Sequence, residues 1–266
     1  MPTRWVFMGL GLCLGCGATS EADVDSRTDS ATSGAREAPI ALASKSFVAD
    51  FAGCSEFAGI GLVPAANARA LVPSHYSLAG DASHAVIVVR VARCASAVID
   101  GKALGVTTTS QIGIRLSDQD PDADIHNYTL FYATDQARLH ARLQGAGLKT
   151  DVAKKGLSFE LDSTRLDITS SSPHTPAFQI SGSASASSAD PSRFVASWWA
   201  DGNHGSVRST TVFPSIRFGD ASTTLTTPAG SALARLIGGT SLTFAFLDSY
   251  NTFTSAHLEV SQQQPD

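Results

Sequence analysis

The stretch Phe194-Val-Ala-Ser-Trp-Trp-Ala-Asp-Gly-Asn-His-Gly-Ser-Val-Arg-Ser-Thr-Thr-Val-Phe213 decides the fold class. It reads as strand, tight turn, strand. Phe194, Ala196 and Trp198 fall on one face at period two, and Val195, Ser197 and Trp199 on the other. Asp201-Gly202 and His204-Gly205 supply turn chemistry between the two arms. Adjacent tryptophans put one large ring on each side of the sheet, so both faces need cover from other elements.

Working outward, further strands share this character. Ala85-Val-Ile-Val-Val-Arg-Val-Ala-Arg-Cys94 is a near-continuous β-branched run, the pattern of a strand buried on both faces. Val106–Leu116 follows, with Ile112, Ile114 and Leu116 on one side and Gln111 and Arg115 on the other. Tyr128–Ala133 is the next strand. Thr134 or Asp135 can cap a helix carrying Leu139 and Leu143, stopped by Gly145 or Gly147. Strands are then expected near Leu157–Leu161, Leu166–Ile168 and Phe178–Ser183. After the Trp hairpin come a strand through Ile216 and Phe218 and a short helix capped by Ser231 and stopped by Gly238-Gly239. Strands near Leu242–Phe246 and Ala256–Val260 close the domain. At the start, Phe51, Phe57, Ile60 and Leu62 form an apolar patch broken by glycines, and one helical turn is expected after Pro64. The expected class is α+β and mostly antiparallel: a curled sheet or barrel with two short helices.

Composition agrees. Of 266 residues, 43% are hydrophobic and only 16% charged, which suits one sizeable core built from small and β-prone side chains. Net charge is -5 and no basic run occurs, so nucleic acid is not an expected partner.

The N-terminus carries an address. Arg4 precedes an apolar run, Trp5–Leu14, of signal-peptide length and too short to span a bilayer. It ends in Leu14-Gly15-Cys16, which resembles the lipobox of bacterial lipoproteins, with Cys13 where leucine is commonest. The resemblance implies a signal peptide over residues 1–15 and lipid on Cys16, hence an envelope protein held at a membrane. Gly17 after Cys16 resembles an outer-membrane signal. Residues 16–46, rich in Ala, Ser, Thr and acids, read as a disordered tether. One domain spans 47–261, and 262–266 form a tail. With Cys16 lipidated, Cys54 and Cys94 remain; they form either one disulfide or two buried thiols.

Three places together resemble the acetoacetate decarboxylase-like superfamily: Ala70-Leu71-Val72-Pro73 ahead of Tyr76 and Leu78; the strand pair Val86–Arg93 and Ser110–Leu116; and Tyr128–Tyr132 leading through a helix to Gly147-Leu148-Lys149. The resemblance covers Asn67–Leu161 and implies a cone-shaped antiparallel barrel with a central pocket. It also implies a lysine just past the helix that forms a Schiff base with a β-keto acid, assisted by a strand glutamate. Lys149 matches the lysine. Gln111 stands at the glutamate position, and an amide cannot take a proton in its place. The C-terminal half does not take part in the resemblance.

Each candidate has a plainer reading. Lys149, with Lys154 and Lys155 nearby, is a Schiff-base amine only if its pKa is depressed; otherwise the three are solvated loop lysines, the favoured reading. Arg90 interrupts a buried strand and needs a carboxylate or an anionic ligand, a structural carboxylate first. Asp118, Asp120, Asp122 and Asp124 alternate but fail the EF-hand pattern at Ala123 and Thr129, so a solvated loop is favoured. Asp201 and His204 flank a turn and are read as turn residues before a pair. His75, His84, His126 and His204 lack metal-ligand spacing, and no phosphate loop or serine elbow is present, so no metal or cofactor is expected. The expected function is a membrane-tethered module binding a small, partly apolar ligand that can carry a carboxylate, with Arg90, Gln111, Tyr128 and Trp198 as ligand contacts. An enzyme acting on keto acids through Lys149 is the first alternative. A structural envelope protein without a ligand is the second.

Overall fold

The structure, a computed structural model, describes residues 46–117, 121–202 and 205–263. Cys16 with the expected lipobox, the expected tether up to residue 45, Asp118, Asp120, His204 and the last three residues lie outside the described residues. In chain order the elements begin with β1 (Phe47–Pro64), helix α1 (Ala65–Arg69), β2 (His84–Ile99), β3 (Lys102–Leu104), β4 (Thr107–Arg115) and β5 (Ile125–Thr134). Helix α2 (Ala137–Ala146), β6 (Asp151–Val152), β7 (Leu157–Asp162), β8 (Arg165–Ser170) and β9 (Phe178–Ser185) follow. The chain continues with β10 (Ser192–Gly202), β11 (Gly205–Phe218), β12 (Asp220–Thr226), helix α3 (Ala232–Ile237), β13 (Ser241–Thr243) and β14 (Leu247–Gln262).

Seven strands close into a barrel in the order β1-β14-β11-β10-β5-β4-β2, because β2 pairs back onto β1 from Ala49–Ile99 to Pro64–His84. Closure leaves no open edge among these long strands. Every neighbouring pair is antiparallel except β5 and β10, which run parallel from Ile125–Ala196 to Tyr128–Trp199. A second antiparallel sheet, ordered β13-β12-β9-β8-β7, packs on the outside of the barrel. Ile87, Val89, Val91, Ile112 and Ile114 meet Leu166, Ile168, Ile180 and Leu225 there, in one continuous core. The β-branched run of β2 is therefore buried on both faces: odd residues face the second sheet, while Val88, Arg90 and Ala92 face the barrel interior.

The apolar patch Phe51–Leu62 is part of an 18-residue strand, β1. Its period changes once. Phe47, Ala49 and Phe51 point inward, then Ala52 and Gly53 are exposed, and Cys54 and Glu56 are buried again. Gly53, at φ 61°, supplies the left-handed conformation at this bend. The two partners bend at the same level. Ala95-Ser96 of β2 and Thr254-Ser255 of β14 interrupt their own alternation opposite Gly53. Three aligned bends coil the barrel sharply here, as closure of a sheet requires. Cys54 and Cys94 are directly opposite one another just beyond the bend and form a disulfide, with Cα atoms 4.0 Å apart.

The hairpin of β10 and β11 is longer than its sequence suggests. Rather than ending at Phe213, β11 passes through Pro214 to Phe218, with a register shift between the Ser192–Ile216 and Phe194–Phe213 pairs. Proline donates no ladder bond, so the strand continues only by bulging there. Among the described residues there are three short helices rather than two, α1 being the turn after Pro64. Helix α3 begins with Ser231 Oγ accepting from Ala234 N at 2.9 Å and ends at Gly238, φ 72°. Helix α2 starts one residue later than expected, with Gln136 at the cap position. Thr134 Oγ1 accepts from Gln136 N at 3.2 Å, and Asp135 is occupied by Thr108 N at 2.9 Å. Leu139, Leu143 and Ala146 of α2 pack with Tyr132, Leu258 and Val260 and close one end of the barrel.

Candidate functional site

The barrel interior holds a polar belt with a small cavity on each side of it. Arg90 Nε donates to Glu56 Oε2 at 2.9 Å, and its Nη2 donates to the same oxygen. The Glu56 side chain is 6% exposed and that of Arg90 16%. The other Glu56 oxygen accepts from Asn251 Nδ2 at 3.4 Å, and the guanidinium lies 5.7 Å from the Phe213 ring centroid. This pair satisfies the requirement that a charge taken out of water be compensated nearby. Two unlike charges side by side leave the belt without net charge.

On the α2 side, a cavity of about 30 Å³ is lined by Arg90, Thr109, Gln111, Tyr132, Ser209 and Thr211, among others. Arg90 and Gln111 are register partners on β2 and β4, so their side chains share this space. Gln111 Nε2 donates to Thr129 Oγ1 at 3.0 Å. Burial pushes the Tyr132 phenol up to about 12, against the opposing pull of Arg90 and a hydrogen bond with Thr109. On the other side, a cavity of about 60 Å³ lies between Val88, Arg90, Asn127, Phe194, Trp198 and Phe213, with Phe218 at 39% exposure among its wall residues. Trp198 is buried in it, while Trp199 faces outward beneath the Arg208 guanidinium, 5.2 Å from the ring. Gly113 makes room for the indole: a Cβ there would stand 2.8 Å from Trp198 Cζ3 and 2.2 Å from Tyr128 O.

Lys149 and Tyr128 are elsewhere. They line a groove of about 160 Å³ next to the end of the β5–β10 pairing, with Leu71, Asp201, Ala200 and Thr129, the residue that accepts from Gln111. Tyr128 stacks at 5.0 Å on Tyr76, whose hydroxyl donates to Asp201 Oδ1 at 3.1 Å. Burial and the neighbouring Asp201 carboxylate raise both phenol pKa values. Lys102, Lys149, Lys154 and Lys155 are all exposed, and none of them lines either barrel cavity. The sequence-derived set thus divides: Arg90 shares one barrel cavity with Gln111 and the other with Trp198, while Tyr128 and Lys149 share a separate groove.

The acidic loop separates as well. Asp122 pairs with Arg208, and Asp124 Oδ2 accepts from Val195 N at 2.7 Å. Among the described residues, no group of three or more His, Cys, Asp or Glu side chains could hold a metal. Sequence reasoning missed Glu56, Tyr132, Asn127 and Asn251. Glu56 left a trace, as the one acid in the apolar run Cys54–Leu62.

No protein-family model matches the chain, and no curated protein sequence matches it. Solved structures do. An acetoacetate decarboxylase superimposes with a TM-score of 0.55 at 12% identity, covering 81% of this chain and 89% of its own. An acetoacetate decarboxylase-like enzyme from Sphingomonas wittichii gives 0.51 at 12% identity, covering 89% and 100%. The acetoacetate decarboxylase of Legionella pneumophila gives 0.51 at 13%, covering 86% and 92%. Likeness at this level of identity is a statement about architecture: the chain has the fold of the acetoacetate decarboxylases.

Proposed function

We propose that the barrel is a binding module for a small, partly apolar molecule, held in the cavity on the Trp198 side of the Arg90–Glu56 pair. The carrying observation is that the interior is built with polar groups and aromatic walls, as ligand sites are, and that no described lysine lines it. Because Glu56 already neutralises Arg90, a carboxylated ligand must compete with Glu56 for the guanidinium. Isotope-edited NMR tests this with acetoacetate, pyruvate, isobutyrate and isobutyramide as probes. Binding in the barrel moves the Trp198 indole N–H resonance and leaves that of Trp199 in place. No movement of Trp198 with any probe would refute the proposal.

The second reading is an enzyme acting on keto acids. It is favoured by the fold, since the solved structures of this architecture named above are decarboxylases or a decarboxylase-like enzyme. The exposed position of Lys149 and the amide at Gln111 weigh against a Schiff-base route through the residues that match the family pattern. Carbon dioxide release from acetoacetate above the rate without protein would establish this reading.

We also propose, from the sequence of residues 1–17, that the protein is anchored by lipid on Cys16 in a bacterial envelope, at the outer membrane. Labelled palmitate should enter the wild-type protein and not Cys16→Ser. Unlabelled wild-type protein in the soluble fraction would overturn this.

A further inference from the structure

Asn127 is fully buried and Trp198 is 2% exposed, and they are register partners on the parallel strands β5 and β10. Both line the 60 Å³ cavity on the aromatic side of the belt. Asn127 Oδ1, Asn127 Nδ2 and Trp198 Nε1 have no hydrogen-bonding partner among the protein groups. Buried polar atoms are nearly always paired, and leaving several unpaired in one place costs stability. Gln111, also inside the barrel, is by contrast paired within the protein.

The chemistry of these three atoms selects a partner. Two are N–H donors, and one is a carbonyl acceptor beside them. A ligand that completes the set needs an oxygen with two lone pairs and an adjacent N–H. A primary or secondary carboxamide has both: its oxygen accepts from Asn127 and Trp198, and its N–H donates to Asn127 Oδ1. If the two ends of Asn127 are exchanged, the ligand still serves. A carboxylate offers acceptors only and would set a negative oxygen against Asn127 Oδ1, close to Glu56. The remaining walls, Val88, Phe194 and Phe213, are apolar. We infer that this cavity is a subsite for a small uncharged carboxamide whose apolar end packs among the phenylalanines. The inference rests on the barrel-binding reading and narrows its ligand class from acid to amide.

The test titrates isobutyramide and its isostere isobutyrate into the nitrogen-15-labelled full chain at neutral pH. Trp198→Phe and Trp199→Phe assign the indole resonances. Isobutyramide is expected to move the Trp198 N–H in a saturable way, with an affinity at least about tenfold above that of isobutyrate, the scale of one satisfied buried donor or acceptor. Asn127→Leu, similar in size and without polar atoms, should erase that preference while the melting temperature holds or rises. Asn127→Ala provides the same comparison should the leucine not fit. Equal or tighter binding of isobutyrate overturns the inference and leaves the barrel reading standing. So does movement of Trp198 by acetoacetate or pyruvate but not by isobutyramide. An unchanged preference in both Asn127 variants also overturns it. Silence of Trp198 towards every probe overturns both.

Discussion

Removing Glu56 should be among the most damaging single changes in the chain. Glu56 is 5% exposed and is the carboxylate bound to Arg90, whose side chain is 16% exposed inside the barrel. Glu56→Ala leaves the guanidinium in place without its counter-charge, and deleting one partner of a buried pair costs about 3–5 kcal/mol. The cavities beside Arg90 can admit water, which places the expected loss near the lower end, about 3 kcal/mol. That is a large fraction of the ~5–15 kcal/mol that holds a typical domain together. Removing both charges with the double variant Glu56→Leu, Arg90→Met should recover most of the loss, because apolar groups of similar size need no compensation. Urea unfolding followed by circular dichroism measures both, and an unchanged slope with denaturant shows that only stability has moved. A loss below about 1 kcal/mol for Glu56→Ala, or a double variant no more stable than the single, would show that Arg90 does not depend on Glu56 for its counter-charge.

Other expectations follow from single observations. The Cys54–Cys94 bridge closes a loop with a sequence separation of 40, worth roughly 3–4 kcal/mol in the chain-entropy model; thiol titration of unfolded, unreduced protein should find neither sulfur free. Gly113→Ala sets a Cβ 2.2 Å from Tyr128 O and should destabilise by about 1–3 kcal/mol or more, read as a drop in melting temperature with a disturbed Trp198 environment. The Tyr132 phenol ionises only near 12 in the folded protein, above its ordinary value near 10. Its stabilising effect is therefore complete below pH 10 and declines as pH rises towards 12; because Tyr76 and Tyr128 also ionise late, ultraviolet titration should show one late phenol fewer in Tyr132→Phe than in wild type. Borohydride reduction with acetoacetate should leave Lys149 unmodified, as checked by peptide mass; an adduct lost in Lys149→Ala would move the protein to the enzyme reading.

Local patterns made several elements legible and hid others. The β-branched run through Val89, the paired tryptophans and the Ser231 cap each announce their structure within a few residues, and each forms as read. Strand β1 was legible only as an apolar patch, because the bend at Gly53 changes which parity faces inward. Barrel closure depends on β1 finding both β2 and β14, pairings far apart in the chain that local periodicity does not encode. The same limit applies to the site. Arg90 signalled that a carboxylate was needed but not that Glu56 would be the one. Lys149 matched a family pattern, yet its side chain is set by the turn after α2, which delivers it to the groove it shares with Tyr128. Asn127 gave no sequence signal, since its importance arises from what the fold withholds from it.

On the proposed reading, ligand enters the barrel beside the Arg90–Glu56 pair and not the groove at Lys149. Crystals grown with saturating isobutyramide, and separately with acetoacetate, test it most directly. Ligand density is expected between Asn127, Trp198 and the phenylalanine walls, with the Arg90–Glu56 bond intact. Density in the groove between Tyr128, Asp201 and Lys149, with nothing but water in the Trp198 cavity, would overturn it.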